Sequence, residues 1–265
     1  MHVDDDASKS VTLRERIAHR LGRHVPLAAT RIRPSEPFVS LSFDDVPDSA
    51  CTIGADILDG FGVKATYFVA TGLMGLRTRY WRNADRARIA ALFADGHEIG
   101  CHTHSHPILT SLSAHSIRAD IEENRSRLEA IVPGAPRSSF AYPFGYTSLA
   151  AKRIAGRTFA SSRSVVPGLN AGFTDPHMLH ANPLVDARLD PATLERLMQR
   201  ALARRGWLIF FGHDVSDDPS PYGCTPGLLT AVLAAAARRG IACVTIAEGL
   251  RRSTLATGGD ESASA

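Results

Sequence analysis

Short apolar runs alternate with amphipathic stretches from about residue 38 to residue 246, and this alternation predicts an α/β fold built on a parallel sheet or an α/β barrel. Two further observations support that class. Asp44, Asp45, His102, Phe144 and His213 all follow the carboxyl ends of apolar runs, which is where α/β barrels build their active sites. The length, 265 residues, suits one large domain with short extensions and is enough to bury a core without crosslinks.

The elements follow in order. Residues 11–24 (VTLRERIAHRLGRH) form a short basic amphipathic helix with Leu13, Ile17 and Leu21 on one face, which suits packing across a barrel end or binding a membrane surface or partner. Pro34 and Pro37 precede a strand, FVSLSF, that runs into Asp44-Asp45. A helix is expected over 49–61, a buried strand over 65–70, a helix over 84–95 that stops at Gly96, and a short strand over 97–101. Residues 113–131 read as a long helix with Ser113 as N-cap. A strand at 139–143 precedes a helix near 147–155, with another strand over 158–161, and 162–189 has no regular pattern. A helix over 191–205 begins with Pro191 in its first turn, and WLIFFG is a continuous apolar strand ending at His213. A helix over 227–239 leads to a strand over 241–246. Residues 1–10 and the small polar tail from Ser253 read as disordered.

Composition excludes several classes. The net charge of +3 rests on arginine, the only lysines being Lys9, Lys64 and Lys152, and no dense basic stripe argues for nucleic acid. The four cysteines are dispersed without a CxxC pair, so neither a disulfide framework nor a cysteine zinc site is expected. MHVDDDASKS lacks the apolar segment of a secretion signal, which makes a cytoplasmic location the expectation, and no apolar run reaches the ~18 residues of a membrane span.

Four pieces carry the chemistry. Adjacent carboxylates at Asp44 and Asp45 repel each other, but their side chains diverge, so one can bind a metal while the other acts as a base; a solvated turn is the alternative. His102 and His106 lie four apart, which one helical turn would bring to the same side, with Pro107 preventing a longer helix and His104 pointing away. Two imidazoles and one carboxylate leave a position open for water, although structural histidines would give the same spacing. In Phe140-Ala141-Tyr142-Pro143-Phe144-Gly145 a tight turn after a strand can aim the Phe144 backbone N–H, with Tyr142 beside it, into a site; an ordinary turn would look alike. Finally, WLIFFG delivers His213-Asp214 to the mouth of the sheet, where a histidine can serve as general acid or be a satisfied core residue.

In this order, the Asp44-Asp45 doublet, EIGCHTHSHP, AYPFG and the strand ending at His213 resemble the polysaccharide deacetylases, the NodB-homology group of carbohydrate esterases, over roughly residues 36–250. The resemblance implies a single-domain distorted (β/α) barrel over 35–252, with an N-terminal extension at 1–34 and a tail at 253–265. It implies Asp45, His102 and His106 as metal ligands, Asp44 as general base, His213 as general acid and the Phe144 N–H, with Tyr142, at the oxyanion and substrate. Zinc is the expected ion; cobalt, nickel or iron suit the same ligands. The implied reaction removes acetyl groups from N-acetylated, and by extension O-acetylated, oligo- or polysaccharides. The sequence departs from the family at Ala141, where many members carry an arginine that orients the base; Arg163 is the candidate to replace it. Asp186 is the candidate to back His213.

Three rivals share these residues. The ligand set also describes non-haem iron oxygenases, which need neither Asp44 nor His213. A hydrolase of a small linear or cyclic amide would use the same chemistry in a closed pocket. A non-catalytic carbohydrate-binding homologue is the third.

Overall fold

The computed structural model describes residues 11–255 apart from 33 and 137; the expected disorder at 1–10 and beyond 255 lies outside the described residues. Among the described residues, one sheet of eight strands dominates, and every pairing within it is parallel. Helix α1 (Leu13–His24) and strand β1 (Thr30–Ile32) precede it. The central strand is β2 (Phe38–Asp44), flanked by β3 (Thr66–Val69) and, further out, β4 (Glu98–Cys101), β5 (Ser139–Ala141) and β6 (Ser161–Arg163). A three-residue strand, β7 (Gly172–Thr174), pairs antiparallel with β1 in a separate two-stranded ribbon. On the other side of β2 lie β9 (Trp207–Gly212) and β8 (Asn182–Pro183), while β10 (Ala242–Cys243) pairs with the start of β2. The sheet curls until its edges meet: Leu179, just ahead of β8, donates to Ser162 O and accepts from Ser164 N at β6. The result is a distorted parallel barrel wrapped by helices.

Strand periodicity sorts side chains into two layers. Val39, Leu41 and Phe43, Tyr67 and Val69, Ile99, and Leu208 and Phe210 point outward into one apolar cluster under the helices. Phe38, Phe68, Ala141, Trp207 and Ile209 point inward into a separate cluster inside the barrel. Continuing that inward register gives Asp44 and Arg163 as the last residues of β2 and β6, and His102 and His213 just past the ends of β4 and β9. Gly100 belongs to the same inward series, and a Cβ there would come within 2.6 Å of the Phe68 ring.

The helices follow their caps. α3 (Arg86–Ala94) starts at Asp85, α4 (Ala114–Glu129) at Ser113, α5 (Leu149–Thr158) at Ser148, α6 (Pro191–Arg204) at Asp190 and α7 (Pro226–Ala237) at Thr225. Each capping side chain accepts a backbone N–H of the first turn.

Four expectations need correction. The helix over 49–61 opens as a π-helical turn at Ala50–Gly54 before becoming α2 (Ala55–Gly60). The strand expected over 158–161 begins at Ser161, because α5 continues to Thr158. The strand expected over 241–246 is only two residues long, and Ile246 opens a helix, α8 (Ile246–Leu255), whose Ser253 is fully buried. The chain is therefore helical where a tail was expected to begin. Lastly, the apolar face of α1 does not pack on the barrel: Leu13, Ile17 and Leu21 are exposed, and Gly22 on the opposite face touches Ser148 instead.

Candidate metal and catalytic site

The loops after β2, β4, β5 and β9 converge at the carboxyl end of the barrel around a cavity of about 260 Å³. Asp44, Asp45, His102, His106, Phe144 and His213 all line it.

His102 and His106 do not share a helical turn. Residues 102–107 form an irregular loop, with Thr103 and His106 at positive φ (64° and 52°). Those two reversals bring both imidazoles inward, so that His106 Nε2 lies 3.2 Å from His102 Nε2. Asp45 Oδ1 lies 3.2 Å from His106 Nε2 and 3.8 Å from His102 Nε2. Donors sharing one tetrahedral ion at ~2.0–2.1 Å stand about 3.4 Å apart, so this set fits a divalent ion. His102 Nδ1–H donates to Ala141 O at 2.8 Å, which fixes the tautomer that leaves Nε2 free to ligate. Burial pushes the His102 imidazole down to about 4, so it is neutral at pH 7, as a ligand must be. His104 turns away, its Nδ1 2.8 Å from Thr71 Oγ1.

The loop is held from α4. Asp120 accepts from His104 N and from the N–H and hydroxyl of Ser105. One turn later Asn124 accepts from Thr71 N and Oγ1 and donates to Val69 O. Sequence reading missed both. Their signal was two polar residues four apart on a helix whose Ile117, Ile121 and Leu128 are buried.

Asp44 is 4% exposed and meets Arg163, whose Nη2 donates to both carboxylate oxygens at 2.6 and 2.5 Å. Arg163 is fully buried inside the barrel, its guanidinium carbon 5.2 Å and 5.0 Å from the ring centres of Phe68 and Phe211. Burial alone would raise the Asp44 carboxyl, but Arg163, with His102 and His213 nearby, holds it below the usual carboxylate range. An arginine from β6 thus reaches the carboxylate that Ala141, on β5, cannot.

Phe144 sits at φ 54°, ψ 8°, in a turn closed by Gly145 at φ 70°. Its ring lies 4.4 Å from that of His106. Tyr142 is not part of the site: it is 1% exposed, its hydroxyl donates to His177 O, and it packs with Phe140 and Met178 in a cluster outside the barrel. Strand alternation explains this, since the inward position belongs to Ala141.

His213 Nδ1–H donates to Tyr222 O at 3.3 Å, leaving Nε2 toward the cavity chemistry. Asp186 does not back it; that carboxylate accepts from Thr225 N and Oγ1 instead. A backbone carbonyl therefore takes the place expected for an aspartate. The cavity wall near His213 is aromatic: Trp81 lies 5.3 Å and Tyr222 5.8 Å from its ring, and Tyr80 packs against both. Trp81 and Tyr80 come from a hairpin after β3, pinned by Trp81 Nε1 donating to Asn83 Oδ1. As loop residues, they carry no periodic pattern by which they could have been found.

Residues 31–158 match the polysaccharide deacetylase family. That polysaccharide deacetylase match takes in Asp44, Asp45, His102, His106 and Phe144, while Arg163 and His213 lie beyond it. A chitin deacetylase of Colletotrichum lindemuthianum is 32% identical over 122 residues, 44% of this chain and 48% of that protein. The chain spans about half or less of the length of the curated relatives it matches. Among solved structures, a family 4 acetyl xylan esterase from Clostridium thermocellum in complex with a cobalt ion superposes with a TM-score of 0.58 at 24% identity, covering 81% of this chain and 90% of that one. A CE4 family pseudoenzyme from Bacillus anthracis gives a TM-score of 0.58 at 19% identity over 85% of this chain and 69% of that one. At these identities the structures speak for the fold: the barrel is the distorted NodB-type barrel of the polysaccharide deacetylases.

Proposed function

We propose that the protein is a divalent-metal-dependent hydrolase that removes acetyl groups from N-acetylated sugars of an oligo- or polysaccharide. The observation that carries this reading is the pairing of two unlike groups around one donor set. Asp44, held ionised by Arg163, and His213, oriented by Tyr222 O, line the cavity that contains Asp45, His102 and His106.

Asp45, His102 and His106 would hold the ion, zinc by preference, and such an ion lowers the pKa of water and offsets negative charge on a carbonyl oxygen. Asp44 accepts a proton as water attacks the acetamide carbon, and Arg163 fixes the carboxylate while this happens. The Phe144 N–H supports the oxygen that gains charge; an oxyanion donor of this kind is worth ~3–4 kcal/mol in a protease. An amine leaves only when protonated, and His213, whose Nε2 is free, supplies that proton. The aromatic wall gives a sugar ring apolar faces to lie against. The cavity falls at or below the ~300–1,000 Å³ of ordinary ligand sites, which suits one sugar unit at a time.

The deciding experiment is acetate release from a panel of N- and O-acetylated saccharides, with and without chelator. Release from N-acetylated oligosaccharides that chelator abolishes and added zinc restores supports the reading; no release from any saccharide sinks it. Asp44→Asn should lower turnover by about 10²–10⁴ and leave the bound metal in place. The small cavity also favours a second reading, hydrolysis of a small linear or cyclic amide, and such amides belong on the same panel.

A further inference from the structure

Helix α1 presents its apolar residues to solvent. At 100° per residue, Leu13, Ile17 and Leu21 fall within one 80° sector, and they are 73%, 53% and 47% exposed. Val25 continues the line at the helix end and is also exposed. Glu15, Ala18, His19 and Gly22 make the opposite face. That inner face is firmly attached: Gly22 lies so close to Ser148 that a Cβ would come within 2.9 Å of its backbone. Lys152 Nζ donates to Gly22 O and Val25 O, and Thr147 N donates to His19 Nδ1. The fold therefore consumes one side of the helix and leaves the apolar side outward.

The stripe is flanked by positive charge. Arg14, Arg16, Arg20, Arg23 and His24 are all exposed. The helix carries one acid, Glu15, and its carboxylate is engaged by the N–H and hydroxyl of Thr12 in the capping box. Beside the helix end, Asp175 accepts from Leu27 N. Two residues before Asp175, Phe173 is 82% exposed and pairs across the β1–β7 ribbon with Arg31.

Aliphatic side chains pointing outward between arginines match a surface that is apolar beneath and anionic at its face. We propose that α1 docks the protein on a lipid bilayer bearing anionic headgroups, lying in the interfacial plane. A protein partner with an acidic rim, or a second copy of the chain, would be a different occupant. The aliphatics ringed by arginines, with a single acid tied up at the N-cap, favour the bilayer, because a second copy would bring like charges together. No helix among the described residues is long and apolar enough to cross a membrane, so the contact is peripheral.

The test is flotation of the full chain with vesicles of phosphatidylcholine alone and of phosphatidylcholine mixed with phosphatidylglycerol, at low and high salt. Expected is flotation with the anionic vesicles only, weakened by salt. Ile17→Glu/Leu21→Glu should abolish it. Arg20→Glu/Arg23→Glu should weaken it at least about tenfold. All four positions are exposed, so both variants should keep the wild-type unfolding temperature. If the apolar double variant fails to fold, the arginine variant decides alone. The proposal is overturned if the protein floats with neither vesicle, if both folded variants float as wild type does, or if sedimentation shows a dimer that Ile17→Glu/Leu21→Glu dissolves. Flotation reads no catalysis, so its outcome and that of the acetate assay are independent.

Discussion

Arg163 is the residue on which the site's electrostatics turn. Burial raises the Asp44 carboxyl and the guanidinium more than offsets it. Without the arginine the burial effect remains, so the carboxyl rises. Arg163→Met should therefore shift the acid limb of the kcat/KM profile to higher pH, because Asp44 must be ionised to accept a proton. It also strands a buried charge, which costs about 3–5 kcal/mol, readable as a lower urea midpoint at pH 7. The loss should shrink on acidification, when Asp44 can be neutralised. A profile with an unchanged acid limb would mean that Asp44 is not the base. The departure at Ala141 was visible in the sequence, and Arg163 was a candidate there, but strand pairing was needed to show why it works. Ala141 and Arg163 stand opposite each other on neighbouring strands, so the guanidinium enters from the next strand rather than from the usual one.

At the scale of elements, two contacts between strand ends and helices matter most. Asp120 on α4 ties down the loop that carries both histidines, through three donors. Asp120→Ala should loosen zinc binding about 10–100-fold, measured by competition with a chromophoric chelator, while far-UV circular dichroism stays unchanged. At the other end of the barrel, Glu98 Oε2 accepts from Thr66 Oγ1 and from Ala247 N in the first turn of α8. Burial, only partly offset by those donors and by Ser139, raises its carboxyl above the usual value. A group raised in the folded state favours folding most below its unfolded pKa and less as pH rises through the folded pKa. Glu98 therefore costs stability at neutral pH. Glu98→Gln keeps an acceptor for both donors and should flatten the loss of stability as pH rises above the ordinary glutamate value of 4.5, as followed by urea midpoints; a curve as steep as wild type would show that another group is responsible. The sequence revealed the strands here but not α8, because Thr245 and Ile246 read as a continuation of an apolar β-prone run. What ends that strand is tertiary: Thr66 and Glu98 supply acceptors for the N–H groups of residues 246 and 247, and a helix begins.

The molecule as a whole separates a sealed floor from a reactive mouth. Trp207 fills the floor, fully buried, with its indole N–H donating to Ser40 Oγ and its ring against Phe38. Trp207→Ala should cost about 3–5 kcal/mol in chemical denaturation and leave the donor set at the other end able to bind zinc if the barrel still forms. The mouth concentrates backbone strain. Asp45, Val46, Thr103, His106 and Phe144 all have positive φ, each a conformation that costs a non-glycine residue on the order of 1–2 kcal/mol. This explains the limit of sequence reading at the site. Strand ends and residue types were legible, and so was the set Asp44, Asp45, His102, His106, Phe144 and His213. The route by which the histidines converge was not, since a four-residue spacing suggests a helical turn and the chain uses two left-handed reversals. Tyr142 was misplaced because a motif gives neighbours in sequence, whereas the pleat sends alternate residues to opposite sides of the wall.

The chain has two tryptophans, and the barrel puts one at each end. Trp207 is sealed in the floor, while Trp81 leans over His213 at the mouth, partly open to solvent. Their emission should differ in colour, blue from the dry indole and redder from the wet one. The protein thus carries a built-in pair of optical reporters. With Trp81→Phe, fluorescence would follow the integrity of the barrel alone; with Trp207→Phe, it would follow only what enters the cavity.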